Sequence, residues 1–210
     1  RRLEVKGTAV PVVEGVLYSP RSAAAQYSFS ATGSLAYVTG REVTQRRLVW
    51  VTRNGTEQPV AAPARDYGAP RLSPDGARVT FSIRGEGQQV WLYDLARETS
   101  TRLTFGGSTN ASSTWTPDGK RMVFYSNREG PLNLFWQLAD GSGGLERLTT
   151  SENLHVPMSI SPDGQLLAFI ESNPTTGTDI WVLRLSDRKA EPFLRTPFTE
   201  GAPRCSPDGH

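Results

Sequence analysis

Ser73-Pro74-Asp75-Gly76 is the stretch whose reading decides the fold. It returns as Thr116-Pro117-Asp118-Gly119, Ser161-Pro162-Asp163-Gly164 and Ser206-Pro207-Asp208-Gly209. A degenerate copy stands at Ser30-Ala31-Thr32-Gly33, and the successive spacings are 43, 43, 45 and 45 residues. A near-constant period of this length is the mark of a repeat architecture. Proline presets φ at the second position of a type I turn, aspartate bonds its own local backbone at the third, and glycine accepts the positive φ that follows. Each copy therefore reads as a tight hairpin turn with a G1-type bulge, reversing the chain between two strands.

Outward from each turn lie four short apolar runs. Around Ser73 they cover 69–72, 79–81, 90–93 and 101–104; the next unit gives 113–115, 122–124, 134–136 and 146–149, and the one after it 158–160, 167–169, 180–183 and 192–194. Runs of three to six β-branched and aromatic residues bounded by Gly, Pro, Asn, Asp and Ser are strands. Within the second strand, Val79 and Phe81, Met122 and Phe124, and Leu167 and Phe169 alternate onto one face. Third strands put Val49, Trp91, Phe135 and Trp181 in matching positions, with Trp50 facing the other way. Such a sheet cannot bury both faces alone, whereas sheets stacked around an axis can, and this points to an all-β propeller.

The expected layout is a single domain over 1–210 with about four four-stranded blades and a partial blade at each end. Repeat units fall at about 23–66, 67–109, 110–154 and 155–199, with a truncated unit from 200. Val10-Pro11-Val12-Val13 reads as the outer strand of a preceding unit. The sequence stops at His210, just after a turn that introduces another strand, so the chain reads as a fragment of a larger ring. An open arc of this kind presents an apolar blade face at each end, and either self-association through those ends or only marginal stability is expected.

Composition removes several function classes. A net charge of +2, with 23 Lys and Arg spread along 210 residues, gives no nucleic-acid footprint. No apolar run is long enough to insert in a membrane. The single Cys205 permits neither an internal disulfide nor a thiolate metal cluster. Asp75, Asp118, Asp163 and Asp208 sit in separate blades and do not converge on one ion, so no metal or cofactor is expected. His155 and His210 are the only imidazoles and no G-x-S-x-G elbow occurs, so no catalytic residue is assigned. His155 precedes an inner strand, where a propeller loop approaches the axial opening. Trp91, Trp115 and Trp181 fall at repeat positions and read as packing residues. Trp136 and Trp50 depart from that pattern, and with His155 they are the candidate ligand-facing residues.

Ser-Pro-Asp-Gly followed by an apolar strand ending in Phe, then Asp179-Ile180-Trp181-Val182-Leu183, then Arg102-Leu103-Thr104 or Arg147-Leu148-Thr149, resembles the WD-like propeller repeat of the TolB type. The stretch from Trp181 to Pro203 is also similar to the propeller C-terminal to the kinase domain and membrane helix of some bacterial serine/threonine protein kinases. The resemblance implies a periplasmic or otherwise extracytoplasmic bacterial module. It implies a non-catalytic scaffold or sensor that binds a protein or peptide, or a small ligand at the axial opening. The rival implication is a propeller hydrolase, or the propeller half of a peptidase whose catalytic residues lie outside the segment.

Overall fold

The computed structural model describes residues 45–206 and Asp208 in full, together with the backbone of four short strands between residues 18 and 37. The chain divides into two compact units, 1–44 and 45–210. In the first, β1 (Tyr18–Ser19) pairs with β2 (Ala24–Ala25) and β3 (Tyr27–Phe29) with β4 (Leu35–Tyr37), all antiparallel. The degenerate turn at 30–33 and the strand expected at 10–13 lie outside the described residues.

The second unit opens with the hairpin β5 (Val49–Val51) and β6 (Glu57–Pro59). The four strands expected over 23–66 thus occur as two pairs, one in each unit. Three four-stranded meanders follow. Sheet A holds β7 (Tyr67–Leu72), β8 (Arg78–Arg84), β9 (Gln88–Asp94) and β10 (Thr99–Arg102). Sheet B holds β11 (Asn110–Trp115), β12 (Arg121–Ser126), β13 (Asn133–Leu138) and β14 (Glu146–Arg147). Sheet C holds β15 (Leu154–Ile160), β16 (Leu166–Asn173), β17 (Gly177–Arg184) and β18 (Lys189–Leu194). Beyond β18 the chain runs back along β15, where the Cys205 amide donates to Ser159 Oγ at 3.0 Å and Arg204 reaches the Met158 carbonyl at 2.8 Å.

Three copies of the turn are drawn in the same way. In sheet A the Gly76 amide donates to the Ser73 carbonyl at 2.9 Å, and Ser73 Oγ donates to Asp75 Oδ1 at 2.5 Å. The Ala77 amide donates to the same carboxylate oxygen at 3.1 Å, and the Arg78 amide donates to Ser73 Oγ at 2.9 Å. Thr116 with Asp118, and Ser161 with Asp163, repeat this set. Gly76, Gly119 and Gly164 have φ of +70°, +66° and +72°, the left-handed region that a side chain disfavours. In the fourth copy Ser206 Oγ donates to Asp208 at 2.6 Å, while Pro207 and Gly209 lie outside the described residues. The turns also stack: a Cβ at Gly119 would stand 3.7 Å from Pro74 Cδ, and one at Gly164 would stand 3.8 Å from Pro117 Cδ.

Burial follows the alternation and then passes it from sheet to sheet. Met122 and Phe124 join Val90 and Leu103 in a core between sheets A and B. Val123, on the opposite face of β12, joins Leu134, Leu148, Leu167, Phe169, Leu183 and Leu185 between sheets B and C. Tyr67, Val79, Phe81 and Tyr93 pack with Leu48, Val60 and Ala62 of the preceding hairpin. Each second strand is thus buried on both sides, which two-residue alternation against a single core would not produce. Phe81, Phe124 and Phe169 stand opposite Trp91, Phe135 and Trp181 across the second and third strands.

Replacing Gly119 with Val forces a β-branched side chain into a positive-φ position with a proline ring beside it. The expected loss is about 1–3 kcal/mol, read as a lowered denaturant midpoint; an unchanged midpoint would refute the role given to the turn.

Candidate functional site

Between consecutive sheets the last polar residues of one meet the first residue of the next inner strand. At the A/B joint, Thr104 Oγ1 accepts the Val90 amide at 2.9 Å and donates to Gln89 Oε1 at 2.7 Å. Asn110 Nδ2 donates to the same Gln89 oxygen at 3.0 Å, and Arg128 Nη2 donates to Asn110 Oδ1 at 3.0 Å. At the B/C joint, Asn133, Thr149 and His155 take these places, and the Leu134 amide donates to Thr149 Oγ1 at 3.0 Å. Asn133 Nδ2 is held by two carbonyls, of Pro131 and Ser151, so its Oδ1 faces Thr149 at 3.1 Å. His155 Nδ1 lies 2.9 Å from Thr149 Oγ1 and Nε2 lies 2.9 Å from Glu171 Oε2. Beyond sheet C the same places carry Asp179 and Glu200, with Thr196 Oγ1 donating to Glu200 and Arg195 Nε 3.5 Å from Asp179 Oδ2.

His155 is therefore a buried joint residue, 4% exposed, with its ring 4.8 Å from that of Phe169. Together with Ser151, Glu171, Trp181 and Arg188 it borders a cavity of about 430 Å³. Burial holds its pKa below the ordinary 6.5, against a smaller upward pull from Glu171. A neutral ring that donates through Nε2 to Glu171 leaves Nδ1 as an acceptor, so Nδ1 and Asn133 Oδ1 compete for the single hydrogen of the Thr149 hydroxyl. Thr149, His155 and Glu171 thus form a hydroxyl, imidazole and carboxylate in line. The hydroxyl is itself buried and already engaged by the Leu134 amide and Asn133, so it has no free approach to a substrate carbonyl.

A larger cavity, about 700 Å³, opens between sheets B and C at their turn ends. Pro117, Pro162, Leu185 and the Trp136 ring supply its apolar lining, and Asp118, Asp163, Arg121 and Gln165 its polar lining. Its size and mixed chemistry suit a peptide side chain or a small ligand. The Arg121 guanidinium lies 4.3 Å from the centre of the Trp136 ring and 3.8 Å from Glu146, which also pairs with Arg188. Asp118 and Asp163 are held below the usual carboxylate range, first by the Thr116 and Ser161 hydroxyls and then by backbone amides, and both stay ionised at neutral pH.

The three residues singled out in the sequence are thus separated. Trp50, Leu92 and Trp136 occupy one repeat position in three successive third strands. Trp136 lines the cavity while its ring packs on the B/C core; Trp50 is 40% exposed, as are its neighbours Val49 and Val51 to a similar or greater degree. His155 borders the smaller cavity. Trp115 is buried, and Trp91 and Trp181 are half-buried, so the surface and packing classes expected of the tryptophans do not divide as the repeat pattern suggested. The indole N–H groups of Trp136 and Trp181 are both buried with no hydrogen-bond partner among the described residues, so both rings serve by area. Sequence reasoning missed Arg121, Glu146, Thr149 and Glu171. Of these only Thr149 had a signal, the recurrent Arg-Leu-Thr at 102–104 and 147–149.

The family described as PD40, TolB beta propeller domain, matches residues 16–210. The Tol-Pal system protein TolB of Helicobacter pylori is 24% identical over 80% of this chain and 41% of its own length. The chain spans 33% to 41% of the length of the curated relatives it matches. The crystal structure of TolB from Acinetobacter baumannii superposes with a TM-score of 0.61 at 21% identity, over 74% of this chain and 42% of that one. The structure of a putative TolB from Agrobacterium tumefaciens gives 0.58 at 22% identity, over 88% and 70%. At these identities the structural likeness speaks to fold alone.

Protonating His155 adds a charge that burial disfavours, so its contribution to stability is whole above pH 6.5 and falls as the pH drops through the lower folded value. Melting temperatures taken at neutral and mildly acidic pH should fall more for the parent than for His155→Gln; equal falls would remove the histidine from the joint's energetics. Trp136→Ala and Trp181→Ala, both packed on the B/C core, should each cost about 2–4 kcal/mol in denaturant unfolding. A near-neutral Trp136→Ala would show that its ring is a surface feature after all.

Proposed function

Because this chain belongs to the TolB β-propeller family, we propose that it is a non-catalytic binding module of a bacterial extracytoplasmic protein, engaging a protein or peptide partner through the cavity between sheets B and C. The observation that carries this reading is the cavity itself. It joins an apolar floor of two turn prolines, Leu185 and Trp136 to two ionised aspartates, on elements whose positions are fixed by the repeating turn. Rigid scaffolds that hold loop residues at a surface opening are common binding devices. A relative named for the Tol-Pal system supports a partner that is itself a protein. Among the described residues no helix is long and apolar enough to cross a membrane.

The enzyme reading draws on one observation, the line from Thr149 through His155 to Glu171. Its hydroxyl is sealed and saturated, and a second hydroxyl, Ser151 Oγ, lies 3.4 Å from Glu171 without reaching the imidazole. The binding reading accounts for more of the geometry.

A photo-crosslinking residue at Gln165, which lines the cavity, should give a discrete protein adduct in the native cell, while the same residue at exposed Arg97 in the β9–β10 turn should not. Equal labelling at both positions, or none at Gln165, would overturn the reading. So would turnover of ester or peptide substrates that disappears in His155→Ala.

A further inference from the structure

Two successive arginines at one repeat position have different fates. Arg78 opens β8 and Arg121 opens β12 at the same distance beyond the turn. Arg78 crosses to the next sheet: its Nη2 donates to the Gly119 carbonyl at 3.2 Å and lies 3.8 Å from Asp75, and its guanidinium sits 5.0 Å from the centre of the Trp115 ring. The chain therefore places a cation of its own where the second turn meets the first. Arg121 makes no such crossing to Gly164. The ring that would hold it there is replaced, since Ile160 stands where Trp115 stood. A competing ring is supplied instead on its own sheet, since Trp136 stands where Leu92 stood. With Glu146 at 3.8 Å as well, Arg121 stays on its own sheet, and the 700 Å³ cavity bordered by Asp118, Asp163 and Gly164 is what remains.

We propose that this cavity receives the side chain of an arginine carried by the partner protein, its guanidinium donating to the Gly164 carbonyl as Arg78 does to that of Gly119, and pairing with the Asp118 carboxylate as Arg78 pairs with Asp75 one repeat earlier. The inference rests on the reading of this cavity as the binding surface and names the chemistry it selects. Asp118 Oδ1 and Asp163 Oδ1 are committed to their own turns, accepting the Lys120 and Gln165 amides at 3.0 Å. The second oxygen of each carboxylate remains for a donor. Planar, two-pronged donation favours guanidinium over ammonium at such a carbonyl and carboxylate pair. Pro117, Pro162 and Leu185 receive the methylene stem.

The test is a titration of the isotope-labelled chain with Nα-acetyl-arginine methylamide and, separately, with its citrulline counterpart, which keeps the shape and removes the charge. Saturable shifts of the Gly164 amide and the Trp136 indole resonance are expected in the millimolar range for the arginine probe. Citrulline should bind at least about threefold more weakly. Asp118→Asn and Asp163→Asn keep the oxygen that each turn uses, so both should fold while lowering affinity for arginine and not for citrulline. Equal binding of the two probes, or arginine binding unchanged in both variants, would overturn the arginine inference and leave the cavity as a binding surface of other chemistry. Absence of any saturable shift at Gly164 and Trp136 would also overturn it, while an adduct at Gln165 would then keep the broader reading standing.

Discussion

The hydrogen bond from a Ser or Thr hydroxyl to an aspartate two residues on is the contact from which the rest of the second unit is built. A hydroxyl has one hydrogen and an ionised carboxylate has none, so the direction of this bond is fixed. The hydroxyl is then free to accept the amide five residues on, and the carboxylate to accept the amide two residues on. The hydroxyl, one carboxylate oxygen and the amides of the reversal find their partners within six residues, independently of the sheet around it. That autonomy lets the same turn recur at Ser73, Thr116 and Ser161 in settings that differ in almost every other residue. Glycine at the fourth position takes the left-handed φ, and in the second and third turns it lies beside the proline of the turn before.

What could be read in the sequence follows the same division between local and distant. The turns and the alternation of Met122 with Phe124 were legible because their causes lie within a few residues. The matching places of Trp91, Phe135 and Trp181 in the third strands were legible because they repeat, whereas the phenylalanines they stand opposite emerge only from the strand pairing. The left-handed φ of Ala69 and Ser112, inside the bulges of β7 and β11, left no trace, since neither residue type prefers that conformation. His155 was visible as a rare imidazole near an inner strand, but its burial was not. The residue that engages it, Glu171, lies 16 positions away in a strand that shows only an alternating pattern. The cavity was hidden for a different reason. Two repeat positions change there together, Ile160 for Trp115 and Trp136 for Leu92, and their bearing on Arg121 shows only once the fold sets Trp136 beside it.

Repetition and exception thus have separate roles. The scaffold comes from what the repeats share, whereas the cavity we propose as the binding surface comes from where they differ. A propeller is well suited to this arrangement, because a change of side chain between two sheets alters an opening without altering the hydrogen-bonded ladder on either side.

The joints carry a consequence for the ancestry and engineering of the chain. Gln89 bonds Asn110 directly and Asn133 reaches His155 through Thr149, while the equivalent places after sheet C carry Asp179 and Glu200, each with partners of its own, so the three joints are chemically distinct. Each inner strand therefore matches the sheet that precedes it and no other. Duplicating sheet C, for example, would bring a second His155 against Asp179 instead of Asn133, and an amide acceptor held by two carbonyls would be exchanged for a carboxylate. Sheets that look interchangeable in outline are in this sense addressed to one another. A chain with its repeats inserted, deleted or shuffled would have to re-pair these buried polar groups, a requirement that exposed side chains do not carry.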